Sequence, residues 1–250
     1  MICSNLDTSH APLTQIYKKV DANPKVKKAY VGSGIRYDLL VDDFNKNNQD
    51  GNHDAYMEQL VTKHVCGRLK VAPEHTADAT LKIMRKPSFK YFKKFKEKYD
   101  AIQTKHNLKQ PLIPYFISSH PGTTEEDMAI LAAETKDLGF KLEQVQDFTP
   151  TPMTVATVIY YSGVHPYTLQ PVETPKTAKD KKTQNNYFFW YKPELRYWIK
   201  DRLKKLGRMD LAQRLLSSKP KPTSTKDHSP DKIEISKSKI GSVKRYKGKK

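Results

Sequence analysis

Four short strings hold the residue types best suited to chemistry. They are Gly32-Ser33-Gly34-Ile35-Arg36-Tyr37-Asp38, Pro73-Glu74-His75, Ser118-Ser119-His120-Pro121-Gly122-Thr123, and the run from Gln144 through Gln146 to Pro152. Between them they offer carboxylates, imidazoles, hydroxyls, carboxamides and a guanidinium, the groups that grip a polar ligand. Each string follows a segment that reads as a β-strand. In parallel α/β folds function gathers at the C-terminal ends of strands. Four such ends in one chain point to a shared active-site face. Each also has a structural reading. Arg36 and Asp38 can form a surface ion pair worth under about 1 kcal/mol. Glu74 and His75 can precede a helix N-terminus, where an acid is electrostatically welcome. His120-Pro121-Gly122 can simply turn the chain.

Several other chemistries lack their residues. The sequence has no Gly-x-x-x-x-Gly-Lys-Ser/Thr phosphate loop, no Gly-x-Gly-x-x-Gly fingerprint and no Gly-x-Ser-x-Gly elbow. His64-x-Cys66 offers two metal ligands, but no second His or Cys pair lies at zinc-site spacing.

The elements that must carry these strings alternate. Leu13–Val20 has apolar residues at the spacing of one helix face and ends before Asn23-Pro24. Val26–Val31 reads as a short strand, Tyr56–Val65 as a helix and Gly67–Ala72 as the next strand. Thr76 is expected to cap a helix through Met84, and Pro87-Ser88 to start another reaching about His106. Pro111–Ser118 is nearly all apolar, as a strand covered on both faces would be. Thr124 opens a helix with three acids behind it and Gly139 closes it, before a strand at Leu142–Phe148. Four strands, each followed by a helix or long crossover, predict an α/β fold with a parallel sheet. From Thr174 to Leu216 only helices are expected.

Charge is uneven along the chain. The 250 residues carry 45 Lys+Arg against 27 Asp+Glu, a formal +18, and 37% are hydrophobic. Residues 217–250 hold 11 Lys+Arg and 3 Asp+Glu, or +8, which leaves +10 for the first 216. This Lys-rich tail has too little apolar surface to offset its ordering entropy and reads as disordered. It is a solvated tail or an arm touching RNA or the ribosome. Interleaved aromatic and basic residues from Tyr187 to Arg202 offer a second nucleic-acid feature, or else an amphipathic helix on a core. Two cysteines, no long apolar run and no basic-then-apolar N-terminus make the cytoplasm, without membrane contact, the expected location.

Longer strings carry a resemblance. Cys3–His10, Val31–Asp38, Leu69–Thr76, Leu112–Thr124 and Gln144–Met153 resemble the middle of the YgiQ-like radical S-adenosylmethionine proteins, and the similarity runs from about Cys3 to Leu216. The resemblance implies the C-terminal half of a partial (β/α) barrel over residues 1–165, a helical C-terminal extension over 166–216 and the tail over 217–250. It implies S-adenosylmethionine and a 4Fe-4S cluster as cofactors, with hydrogen abstraction by a 5′-deoxyadenosyl radical. Val26–Val31, Gly67–Ala72, Leu112–Ser118 and Leu142–Phe148 would be the third to sixth barrel strands. On this reading Glu74 contacts the cofactor and Lys86 meets its methionyl carboxylate. Ser118, Ser119 and His120 border the ribose or substrate, and Gln144 and Gln146 lie under the adenine. Arg36, Asp38 and His75 are substrate-facing candidates.

One departure is large. The family's cluster is held by Cys-x-x-x-Cys-x-x-Cys, whereas this sequence has only Cys3 and Cys66. The chain alone is therefore expected to bind no cluster and to be inactive. A truncated gene, or a split gene whose partner chain supplies the first barrel half, would explain this. A barrel cut at that point is expected to expose Val26–Val31 as an unpaired edge and to aggregate or oligomerise. The competing reading is a non-catalytic, basic, RNA- or ribosome-binding protein.

Overall fold

A computed structural model describes residues 6–41, 52–142 and 145–217. Among them the sheet has three strands, β1 (Leu69–Glu74), β2 (Leu112–Ser118) and β3 (Val145–Asp147), in the order β1-β2-β3, and both pairings are parallel. Before the sheet come α1 (Ala11–Asp21), a 3-10 turn at Tyr37–Leu40 and α2 (Asn52–Gln59), which runs on as a π-turn at Leu60–His64. Two helices, α3 (Asp78–Ile83) and α4 (Phe89–Lys105), connect β1 to β2, and α5 (Glu125–Asp137) connects β2 to β3. Beyond the sheet lie α6 (Val155–Ser162), α7 (Ala178–Phe188), α8 (Arg196–Lys205) and α9 (Met209–Leu216). The fold is α/β with a parallel sheet, as the alternation predicts, but the described sheet is open and carries one strand fewer than expected.

The missing strand is Val26–Val31, which has no ladder partner. Lys25, Lys27 and Lys28 crowd that stretch with charge, and it is tied to His64 rather than to a strand: the Val31 N–H donates to the His64 carbonyl at 2.9 Å, and His64 Nδ1 meets the Ala29 carbonyl at 2.9 Å. The expected exposed edge at Val26–Val31 is therefore not an edge. A second correction concerns α3. Its N-cap is Ala77, without a side-chain cap, and the Thr76 hydroxyl is buried and unpartnered.

Local chemistry explains the other boundaries. Ser88 caps α4, its hydroxyl accepting from the Lys90 N–H. Thr124 and Asp127 form a reciprocal capping box at α5, satisfying two of the helix's free N–H groups. In α4, Phe89, Phe92, Phe95 and Tyr99 share one buried face, and the Tyr99 hydroxyl donates to the Gln110 carbonyl at 3.0 Å. Strand β2 buries Leu112, Pro114, Phe116 and Ser118, while Ile113, Tyr115 and Ile117 stay half-exposed. One face is thus sealed and the other is only partly covered, against the expectation of a strand buried on both sides.

The C-terminal helices do not hang free. The core is continuous from Tyr37 through the sheet to Leu215, and α7 and α9 pack on α5, whose Ala129, Ala132 and Ala133 admit close neighbours. Buried Lys136 reaches from α5 to the end of α9 and donates to the carbonyls of Arg214 at 2.7 Å and Leu215 at 3.0 Å. It satisfies carbonyls that a helix end leaves open. Residues 218–250, and with them the expected disordered tail, lie outside the described residues, as do Cys3 and Gln144.

Candidate functional site

Proline shapes the end of β1. Pro73 has no N–H to give the ladder, and the register slips between Val71 and Glu74. The His75 N–H closes a tight turn onto the Pro73 carbonyl at 2.8 Å, and Glu74 is left at φ 66°. Such a left-handed backbone costs a β-region side chain about 1–3 kcal/mol and tends to mark functional positions. Ser119, at the end of β2, is likewise left-handed at φ 62°. Two neighbouring strands thus end in kinks.

At these strand ends opens one cleft of about 470 Å³, lined by Glu74 itself and, beyond the second kink, by His120. Its lining includes Glu74 and Lys86, Ile117 of β2 with His120 just beyond that strand, and Gln146 and Asp147 of β3. The segment from Phe148 to Ala156 closes the outer wall. Lys86 Nζ sits 3.1 Å from Glu74 Oε1, while Glu74 Oε2 is buried and has no partner. Gln146 Oε1 accepts from the Tyr115 hydroxyl, so its amide N–H groups are the donors it presents. Burial, and next the Glu74 charge, push the Tyr115 phenol up. Asp147 Oδ1 accepts from the Ser118 hydroxyl and, at 3.2 Å, from Asn185 Nδ2.

Behind this wall lies a buried polar layer. His75 is fully buried; its Nδ1 accepts from the Ala77 N–H at 3.0 Å and its Nε2 has no partner. Burial brings its pKa down to about 4 and also lowers that of His120, whose ring meets Phe148 edge-on at 4.9 Å. Both imidazoles are therefore neutral near pH 7. The Ser119 hydroxyl is another buried group without a partner.

The residues singled out in the sequence divide accordingly. Glu74, Lys86, His120 and Gln146 come together in the cleft. Ser118, Ser119 and His75 stand behind it rather than in it. Arg36 and Asp38 do not line it; they pair with each other at 2.6 Å beside the 3-10 turn, with Asp38 buried and Arg36 largely exposed. Gln144 lies outside the described residues.

Sequence reasoning missed three participants. Asp147 joins β2, β3 and α7 in one hydrogen-bond network, and its only advance signal is a position inside the fourth string. Gln184, buried on α7, accepts from the Ser119 N–H at 2.8 Å and donates from Nε2 to the Thr123 carbonyl at 2.7 Å. Arg85 lines the cleft beside Lys86. No local pattern marks a clamp between residues 65 positions apart. Of the aromatic-basic stretch, Tyr187 and Phe188 are buried and Arg202 is paired with Glu125, so these three belong to the packing of α5, α7 and α8.

Among the described residues no group of three His, Cys, Asp or Glu side chains is placed to hold a metal ion, and Cys66 is exposed. Nor is any described helix long and apolar enough to cross a membrane.

Comparison with known proteins gives consistent relatives. The family model that matches is "Domain of unknown function (DUF3362)", over residues 143–232. A UPF0313 protein of Bacteroides thetaiotaomicron is 56% identical over 220 residues, which cover 88% of this chain and 36% of that protein. One of Porphyromonas gingivalis is 50% identical over 240 residues, covering 95% of this chain and 37% of that protein. One of Methanosarcina acetivorans is 39% identical over 210 residues, covering 84% and 27%. The chain spans about a third of the length of the curated relatives it matches. Over that span, this chain belongs to the UPF0313 family, the YgiQ proteins.

Proposed function

We propose that this chain forms the S-adenosylmethionine- and substrate-facing wall of a radical S-adenosylmethionine iron–sulfur enzyme. The observation that carries the proposal is the Glu74–Lys86 pair at the cleft edge, one carboxylate oxygen of which is buried and unpartnered. An α-amino acid brings an ammonium and a carboxylate of its own. Inserted between Glu74 and Lys86, it exchanges one ion pair for two and gives the orphaned oxygen a donor. Gln146, with its Oε1 engaged by Tyr115, offers amide donors to a base across the same cleft. These residues fit the adenosyl and methionyl halves of the cofactor.

The iron–sulfur cluster does not fit. Its ligands are normally three or four thiolates, and the described residues supply one exposed cysteine. No step is derived through it; in the proposed enzyme its ligands come from outside this chain. Bound S-adenosylmethionine supplies the organic group that initiates chemistry on a substrate. The chain's own residues would orient it: Glu74 and Lys86 would hold the amino-acid end, and the Gln146 amide would serve the base. Ser118 and Asn185 hold Asp147 in place on the opposite wall. Neutral His120, which lines the same cleft, would add no charge there to repel a cationic ligand. Calorimetric titration of the full chain with S-adenosylmethionine tests this. Saturable binding is expected, with amide protection gained at residues 145–148; a flat titration would reject it.

A further inference from the structure

Around the cleft mouth the exposed large apolar residues are concentrated in one segment. Met153, Val158, Tyr161, Tyr167 and Leu169 all face solvent, and Tyr161 and Tyr167 are 71% and 68% exposed. An isolated exposed aromatic needs no explanation, but a cluster beside a cleft marks a contact surface. Cations sit among these rings. The Arg85 guanidinium, itself lining the cleft, lies 5.0 Å from the Tyr167 ring centre. Lys176 and Lys181 lie 5.9 and 5.3 Å from the Tyr160 ring, and Lys176 Nζ donates to the Tyr161 carbonyl at 3.1 Å.

The rings also form a path. Phe148, in the cleft wall, meets Tyr160 at 5.7 Å, and Tyr160 meets Tyr161 edge-on at 5.3 Å. Tyr167 stands on the other flank, held over Arg85. Aromatic faces therefore lead outward from the cleft on two sides. The basic turn of Arg85 and Lys86 flanks one, and the Lys-rich start of α7 flanks the other. The acids nearby are few and mostly engaged: Glu74 pairs with Lys86, and the Asp180 carboxylate accepts from the hydroxyl of Thr177, the N-cap of α7. Glu173 is exposed.

Exposed rings interleaved with cations match one ligand chemistry, unstacked bases on a polyanionic backbone. We propose that the rim formed by Tyr160, Tyr161, Tyr167, Arg85 and Lys176 binds a single-stranded oligonucleotide and delivers it to the cleft as substrate. Bases stack on the tyrosines while phosphates run along the cations. A duplex is refused because its bases already stack on one another. A protein partner would be served by the apolar residues alone and gives no role to the cations held over the rings. This inference rests on the cleft's being a cofactor and substrate site. It is nonetheless read without any cofactor, so its failure leaves S-adenosylmethionine binding untouched, and the reverse.

The test is fluorescence anisotropy of the full chain with labelled single-stranded RNA about 12 nucleotides long, a span such sites take. DNA of the same sequence and the corresponding RNA duplex run beside it. At about 0.2 M salt, contacts made only by the basic C-terminal residues weaken steeply, while stacking persists. Wild type is expected to bind the single strand under these conditions and Tyr161→Ala/Tyr167→Ala to lose at least about tenfold in affinity. Both tyrosines are exposed, so an unchanged thermal melt is the control for folding. Preference for RNA over DNA identifies the strand as RNA, and equal binding supports the shared single-strand chemistry. Equal affinity in wild type and variant overturns the proposal, as does duplex binding as tight as the single strand. So does a second copy of the chain covering the patch, seen as a dimer that the double variant abolishes. Photocrosslinking of a thiouridine-bearing strand gives an independent readout: adducts within 153–182 support the proposal, and adducts confined to 218–250 refute it.

Discussion

Replacing Gln184 by Leu removes the two hydrogen bonds by which α7 holds the loop after β2. The Ser119 N–H loses its acceptor at 2.8 Å and the Thr123 carbonyl loses a donor at 2.7 Å. Ser119 and Thr123 are both buried, so water does not replace either bond. A buried group left unsatisfied costs about 1–3 kcal/mol. The N–H, with no second partner, belongs at the upper part of that range. The carbonyl belongs at the lower part, because it keeps a lone pair for other contacts. Leu returns about 1 kcal/mol by burying apolar surface in place of the amide. The net loss is about 2–3 kcal/mol. Urea unfolding followed by circular dichroism should show a lower midpoint with an unchanged slope. Amide exchange at Ser119 should accelerate in step. A stability change within about 0.5 kcal/mol, as for an ordinary surface substitution, with Ser119 protection intact, would refute the clamp.

Two further predictions concern residues behind the cleft. His75 titrates at about 4 in the fold, against an ordinary value of 6.5, because burial disfavours its charged form. The unfolded chain therefore binds more protons between those values, and stability falls as the pH drops from 6.5 to 4, by on the order of 3 kcal/mol for this group. His75→Gln should flatten that limb of the stability profile, and an unaltered acid limb would show that His75 does not contribute to it. Gly122 sits at φ +80°, and a Cβ there would come within 2.3 Å of Ile83 Cδ1. Gly122→Ala should destabilise by at least about 1 kcal/mol in thermal unfolding, and Ile83→Val should recover part of the loss by removing the clashing methyl. Strict additivity of the two substitutions would contradict that contact.

Much of this was legible in the sequence, for reasons that differ by residue. The capping box of Thr124 and Asp127, the Ser88 cap and the aromatic spacing of α4 are local patterns, and the structure follows them. Strand β2 is legible because seven consecutive residues with little charge leave few alternatives. Val26–Val31 reads equally like a strand, but a strand exists only with a partner, and none is written locally. The reverse holds for α6. Its Val155, Val158 and Ile159 favour a strand by composition, yet the Thr154 cap and left-handed Gly163 fix a helix. In the cleft, Glu74, His120 and Gln146 could be picked out by type and by position at strand ends, whereas Lys86, which follows a helix, is marked only by the family resemblance. The kink at Glu74, the buried unpaired oxygen and the Gln184 clamp depend on tertiary contacts, which no local pattern records.

The ion pair at the cleft edge is where the account is most exposed. Calorimetry of S-adenosylmethionine and of adenosine, each against wild type and Lys86→Ala, isolates what the amino-acid end contributes. The account predicts that Lys86→Ala weakens S-adenosylmethionine at least about tenfold, the loss of one charge-assisted contact, and leaves adenosine unchanged. Equal affinities for S-adenosylmethionine in the two proteins would contradict it.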